Sequence, residues 1–560
     1  MGMSPSLMVM GQEPIYGGIM HTPLSADAHA LNPFSWTTTY EAYVIWHIYD
    51  PLVRLDLENQ AYACIAESWS HSTDFSEWTF VIRDDVYWHD GEKLTIDDVF
   101  YTYNLNWNDP DIPRRSWLFD EITELEVVDN TIVITFGWGP KPADVLYDLA
   151  TTLIVPEHIW ADIDLHDYAN DVNPIGSGPF KFVEWERAQF FRLEKHDQYQ
   201  FPIYIDGKTI PIISEVEAAF YALAGGDIEV MANPPPELES AAEFYNASVH
   251  TSLNDYWVYL GMNQRRYPNN VTEFRQAIMY GIDRQEIVDV IKYGRGAIMP
   301  ASCNLPWGTY YNEEAKTYDY NITKTIEMLD DLGWVDTDED DIREDGLGNP
   351  LEFDVIVSAD AQESVDTVKF IKTYLEPAGI QVNVVPIIWD VLWTTVGGTG
   401  DEANTWDYDW AVLGWVGFWS DFHPSSFYWL LSADNWWGSN AVNIPGWNST
   451  VRTQVTDLCE LVLYETDEAV VADLIDQIQV LVAEDLPYLP LQVNGGTYLY
   501  KTDEYKGWQL GPTDGPDNYF TWLSIQLISP PESGPGYLAL GAILALVITV
   551  GLIKFRRRRD

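Results

Sequence analysis

The chain has 560 residues, too many for one hydrophobic core, and its 46% hydrophobic content suits ordinary globular packing in several domains. It carries 87 acidic and 30 basic residues, a formal charge of −57, which argues against nucleic-acid binding because phosphate recognition needs a basic surface. The acids are interleaved with periodic apolar residues, so they are expected to coat a folded surface rather than mark disorder, and high external salt would screen their repulsion, as in a halophilic or marine archaeal source.

Residues 1–12 are apolar and methionine-rich but lack a basic leader and a long apolar core. Trp78 to Val86 is rich in strand formers. Thr95 to Trp107 opens on a Thr cap and an acidic first turn and continues as an amphipathic helix. Leu351 to Ser358 alternates as a strand, Ser364 to Pro377 reads as a helix ended by Pro377 and Gly379, and Ile380 to Ile388 is strand-like again. This rhythm predicts an α/β architecture with mixed sheets. Asp336 to Asp341 alternates carboxylates like a calcium loop. It has Asp341 where a Gly belongs and Leu347 where the closing Glu belongs, so a solvated acidic turn is expected and no metal site.

Cys64, Cys303 and Cys459 are too widely spaced for zinc or redox motifs. One disulfide with a free thiol, or three buried thiols, are the alternatives, the second favoured. Ten scattered His, no HExxH and no phosphate-binding Gly-rich loop give catalysis no support. Gly176-Ser177-Gly178-Pro179 lacks the spacing of a nucleophile elbow; the two glycines are expected to adopt backbone angles closed to other residues.

At the other end, residues 537–555 form a nearly uncharged run that would span roughly 28 Å as a helix, close to a bilayer core. Arg556 to Arg559 follow at once, so the positive-inside rule puts residues 556–560 in the cytoplasm and the large acidic part outside. Residues 529–536 read as a Pro- and Gly-rich linker. Pro535-Gly536-Tyr537 also resembles an archaeal C-terminal sorting signal, with Tyr537 in place of Phe; cleavage there would substitute a lipid for the helix.

A series of motifs in fixed order links these elements. They are Ala66-Glu67-Ser68-Trp69, Trp78-Thr79-Phe80-Val81-Ile82-Arg83, Trp88-His89-Asp90-Gly91, Leu94-Thr95 with Asp97-Asp98-Val99, Asn173 to Phe182, Phe274-Arg275-Gln276-Ala277, Ile282-Asp283-Arg284 and Ala483 to Pro490. Together they resemble solute-binding family 5, the extracellular solute-binding proteins of peptide- and nickel-type ABC importers. The resemblance runs from about Tyr16 to about Trp522.

The resemblance implies a two-lobed periplasmic-binding-protein-like α/β fold with an extra inserted domain, here followed by one C-terminal transmembrane helix. Lobe I would hold 13–50, 173–262 and 487–528, the extra domain 51–172 and lobe II 263–486. It also implies a solute receptor, not an enzyme, that needs no cofactor or metal. Its partners would be a small solute, with peptides first and oligosaccharides or nickel chelates behind, and an ABC permease with its ATPase. A ligand sensor and a surface hydrolase are the alternatives from other classes. His89-Asp90-Gly91 would be a turn after a strand, and Arg275 with Asp283-Arg284 would pin a helix of lobe II.

For the binding site, Gly414-Trp415-Val416-Gly417-Phe418-Trp419-Ser420-Asp421 follows a strand-like run and is expected on a strand-end loop, where α/β proteins line their crevices. In peptide-binding relatives the Asp of a Gly-Trp-x-x-Asp segment holds the peptide amine. Here Phe418 stands at that place and the carboxylate comes later, at Asp421. Asp421 then reaches the amine through a longer loop, or the ligand lacks an amine. Trp415, Phe418 and Trp419 are candidates for stacking on the ligand, Trp437 for a further wall, and Asn263 marks the crossing from lobe I to lobe II.

Overall fold

The computed structural model describes residues 13–529 apart from 58–59, 115, 138–141, 167, 306–309, 398–405, 417–430, 432–445, 466 and 512–514. Two long strands organise it: Ala247–Met262, rich in Val, Trp and Tyr, and Leu489–Lys501. They pair antiparallel from Ala247↔Lys501 to Leu253↔Gly495 and again from Trp257↔Val493 to Leu260↔Leu489. Between these runs Asn254, Asp255 and Tyr256 oppose the single residue Asn494, so the ladder breaks at a bulge. The partner strand carries Gly495-Gly496 at the same level.

Either side of the bulge the pair joins different neighbours. Toward Lys501 it meets the short strand Val230–Ala232. Toward Leu489 it continues through Trp410–Val416 and Glu352–Ser358 to Gln381–Ile387. The last three are parallel, with the helix Gln362–Leu375 between Glu352–Ser358 and Gln381–Ile387. One face of this sheet is buried by Phe274, Ile278, Phe353, Val368, Ile371 and Trp410, the other by Trp257, Leu413, Ile475, Ile478 and Val493.

Arg275 fixes this lobe as expected. It is buried, its guanidinium pairs with Asp485 at 3.0 Å, and it donates to the carbonyls of Asp485, Leu486 and Asn269. Arg284 donates to the carbonyls of Met299 and Tyr318.

A second sheet has the order Ile19–His21, Gly207–Pro211, Phe190–Lys195, Phe180–Glu186. The helices Thr39–Ile48 and Tyr519–Ser524 contribute to the core on it. Three distant segments meet there around Lys208, whose ammonium is 0% exposed. It pairs with Asp517 at 2.7 Å and donates to His47 Nε2 at 2.9 Å, while His47 Nδ1 donates to the Tyr43 carbonyl and the ring stacks on Trp522.

The third unit is an antiparallel sheet in the order Ala66–His71, Glu77–Ile82, Thr131–Phe136, Ile122–Val128. Its two central strands alternate, placing Trp78, Phe80, Ile82, Ile132, Ile134 and Phe136 in the core. The helix Ile96–Asn108 covers it. At its start Asp98 accepts the Thr95 N–H at 2.8 Å and reaches across to the Glu157 N–H at 2.9 Å.

The His89 turn clamps this unit to the next. Its Nδ1 accepts the Gly176 N–H and its Nε2 donates to the Gly178 carbonyl at 3.0 Å, which sets the neutral tautomer. His196 meets the same carbonyl, edge-on to His89 at 4.9 Å. Burial, then the neighbouring His196, lowers His89 to about 3; burial, then Lys181, lowers His196 to about 4.

Gly176 and Gly178 correct the expectation from sequence. Neither is among the positive-φ glycines. A Cβ at Gly176 would lie 2.0 Å from the Ile48 carbonyl oxygen and one at Gly178 2.7 Å from that of His47, so close backbone approach is what demands glycine. All three cysteines are free and buried, and burial raises each thiol. Among the described residues no helix is long and apolar enough to cross a membrane; the predicted span 537–555 lies outside them.

Candidate functional site

The bulge in the long strands borders a cavity of about 300 Å³. Tyr256 comes from the bulge itself, and Gln492 and Asn494 from the partner strand, two residues apart and therefore on one face. The opposite wall is the first turn of the helix Gln362–Leu375, with Lys292 beside it. Lys292 pairs with the Glu363 carboxylate. Tyr256 can lie across the sheet because Gly414 carries no side chain: a Cβ there would overlap the Tyr256 hydroxyl.

Polar groups in this cavity are incompletely matched. Gln492 is 1% exposed, and among the described residues its Oε1 has no hydrogen-bond partner; neither has Asn494 Oδ1. The helix begins at Ala361, which has no side chain to cap it. The N–H groups of Ser364 and Val365 reach the Ala361 carbonyl, whereas those of Gln362 and Glu363 have no acceptor among the described residues. Beside the cavity, the Arg295 carbonyl accepts the Gly495 N–H, and its guanidinium pairs with Glu239, which follows the strand Val230–Ala232.

Of the residues singled out from sequence, Trp415 lies on the strand Trp410–Val416, with its backbone opposite Trp257. Phe418, Trp419, Asp421 and Trp437 lie outside the described residues. Asn263 stands just past the end of its long strand, fully buried. Its amide donates to the carbonyls of Trp406 and Tyr408 at 3.1 and 2.8 Å, so it secures the strand crossing and does not line the cavity. Gln492 and Asn494 were overlooked in sequence. Their signal is a polar pair at strand spacing in the otherwise apolar run Leu489 to Asn494.

The acidic turn differs in one detail from expectation. Asp336 accepts the N–H groups of Glu339, Asp340 and Asp341, and carboxylate oxygens of Asp336, Asp338, Asp340 and Glu344 come within 4.8 Å of one another. Glu344, rather than the position of Leu347, closes this exposed group.

Two lobes joined by paired strands, with a cavity against their bulge, define a solute-binding protein of the two-lobed periplasmic type. The chain belongs to the bacterial extracellular solute-binding proteins, family 5, whose model (family 5 Middle) it matches over residues 60–438. It is therefore the solute-binding component of an ABC importer, a class that works outside the cytoplasm and is not enzymatic.

The oligopeptide-binding protein AppA of Bacillus subtilis (strain 168) is 29% identical over 376 residues, 66% of this chain and 68% of AppA. The structure of AppA in complex with a nonapeptide superposes with a TM-score of 0.71 at 24% identity, covering 92% of this chain and 100% of that one. The nickel-binding periplasmic protein of Escherichia coli (strain K12) is 24% identical over 368 residues, 63% of this chain and 68% of it. The oligopeptide ABC transporter periplasmic protein of Thermotoga maritima, solved with mannohexaose, has a TM-score of 0.67 at 20% identity and covers 92% of this chain and 100% of its own.

Proposed function

We propose that the chain captures peptides between its two lobes and delivers them to the importer's permease. The observation that carries this reading is the cavity at the strand bulge. A solute there touches the strands common to both lobes and the first turn of a lobe II helix, so its binding energy couples to closure about the bulge. Backbone-like donors and acceptors in its wall suit peptide groups, and AppA is named and solved as a peptide binder. In this reading lobe I comprises 13–50, 173–262 and 487–528, the inserted domain 51–172 and lobe II 263–486.

Trp415, Phe418, Trp419 and Trp437 would supply aromatic surface, and Asp421 would take the peptide amine. Residues 537–555 would tether the protein to the membrane, directly or through a lipid after cleavage, with 556–560 inside. The aromatic content and the mannohexaose-bound relative support an oligosaccharide as second reading.

Mass spectrometry of solutes that co-purify with the protein tests the choice, together with solution scattering. Peptides that bind and shrink the radius of gyration are expected. Oligosaccharides or nickel chelates doing so, with peptides inert, would overturn the peptide reading. Within it, Asp421→Asn should weaken free-amine peptides by about 2 kcal/mol and leave N-acetylated ones unchanged.

A further inference from the structure

The cavity's unmatched groups specify more than a general polar site. Buried oxygens without partners are costly, by roughly 1–3 kcal/mol each, and Gln492 Oε1 and Asn494 Oδ1 are two of them on one strand face. Across from them the helix Gln362–Leu375 opens with two N–H groups that have no acceptor among the described residues, and with the positive end of its dipole. Among the described residues, the only charges in the wall, Lys292 and Glu363, are paired with each other. The site therefore asks for donors on one side and an acceptor on the other, with no net charge.

Three ligand groups can be tried against that inventory. A carboxylate offers acceptors to the helix but no donor to either oxygen, and it meets Glu363. An ammonium offers donors but nothing to the helix N–H groups, and it meets Lys292. A carboxamide has two N–H donors and one carbonyl acceptor, and no charge to desolvate. Resting on the reading of this cavity as the solute site, we propose that it is a carboxamide-selective subsite in which Gln492 and Asn494 accept from the ligand's amide NH2 while the start of the Gln362–Leu375 helix donates to its carbonyl. Gln or Asn side chains of a bound peptide are the groups it takes. Gln492 and Asn494 are then specificity-determining residues.

Trialanine carrying Gln, Glu, Met or Lys at each position in turn, titrated calorimetrically into the full-length protein, tests this. At one position Gln should bind about tenfold or more tighter than Glu, Met or Lys, the ratio expected when a built hydrogen-bonding site meets an analogue lacking the group. Gln492→Leu should erase that ratio, with the Gln peptide binding no tighter than the Met peptide in the same variant. Gln492→Glu, which keeps the shape but withdraws any amide donor and adds a negative charge, should move the preference toward Lys. An unchanged ratio in both variants, or a wild-type preference for Glu or Lys, overturns the proposal.

If no tripeptide binds, the peptide reading fails and the subsite is still tested with acetamide against acetate. Acetamide should shift the Gln492 side-chain amide resonance, identified by its loss in Gln492→Leu, and acetate should not. Equal shifts, or none, refute the carboxamide subsite whatever the natural solute is.

Discussion

Acid should loosen the junction between the third unit and the lobe behind it, through His89. In the folded protein this imidazole is neutral, held by the Gly176 N–H and the Gly178 carbonyl, and burial lowers it to about 3; His196 beside it is lowered to about 4. An unfolded chain protonates both near 6.5. Between these values the unfolded state binds more protons, so stability rises with pH and is lost as pH falls from about 6.5.

Each histidine then costs about 1.4 kcal/mol per pH unit, or about 2 kcal/mol at pH 5. The pair could remove about 4 kcal/mol, a large part of the 5–15 kcal/mol typical of a domain. Carboxylates that the fold holds low, such as Glu41 and Asp85, matter only below that window, because their stabilisation is lost as pH falls through their depressed values. The assay is urea unfolding at fixed ionic strength from pH 7 to 5, wild type against His89→Gln. The variant loses the clamp at every pH, but its slope should be shallower by about one proton, about 1.4 kcal/mol per unit. The buried His47 contributes equally to both proteins and cancels. Equal slopes would refute the argument, since they would mean His89 titrates alike folded and unfolded.

His21 should act in the opposite sense. Burial alone would lower it, but its ion pair with Glu229 outweighs burial and raises it, so its contribution is full below about 6.5 and lost as pH rises through the folded value; His21→Gln should flatten the stability profile above about pH 6.5. Lys208→Met leaves the Asp517 carboxylate buried without its cation and should cost about 3–5 kcal/mol in denaturant unfolding, with Lys208→Met/Asp517→Asn costing less than the sum. Gly176→Ala should cost several kcal/mol or abolish soluble expression, because its methyl meets the Ile48 carbonyl, whereas Gly91→Ala, strained in φ but with open space around it, should cost about 1 kcal/mol.

Local chemistry was readable from sequence wherever it is self-contained. Thr95 with Asp98 opens a helix, alternation marks Glu77–Ile82 and Glu352–Ser358, and Gly379 takes the left-handed turn after the helix that begins at Gln362. Such signals act over a few residues, so composition and spacing carry them. The motif order carried the family and with it the two lobes.

Tertiary structure alone decided what depends on distant partners. Lys208 and Asp517 stand 309 positions apart, and nothing near either one announces the other. Gly176 looks like a turn glycine until Ile48 is seen packed against it. The cavity draws Tyr256, Lys292, Glu363 and Gln492 from four separate segments, brought together by strand pairing across a bulge. Whether an amide is a spent hydrogen-bonding group, as in Asn263, or an unpaired one, as in Gln492, is settled by burial and by which carbonyls lie within reach, and residue type is silent on both.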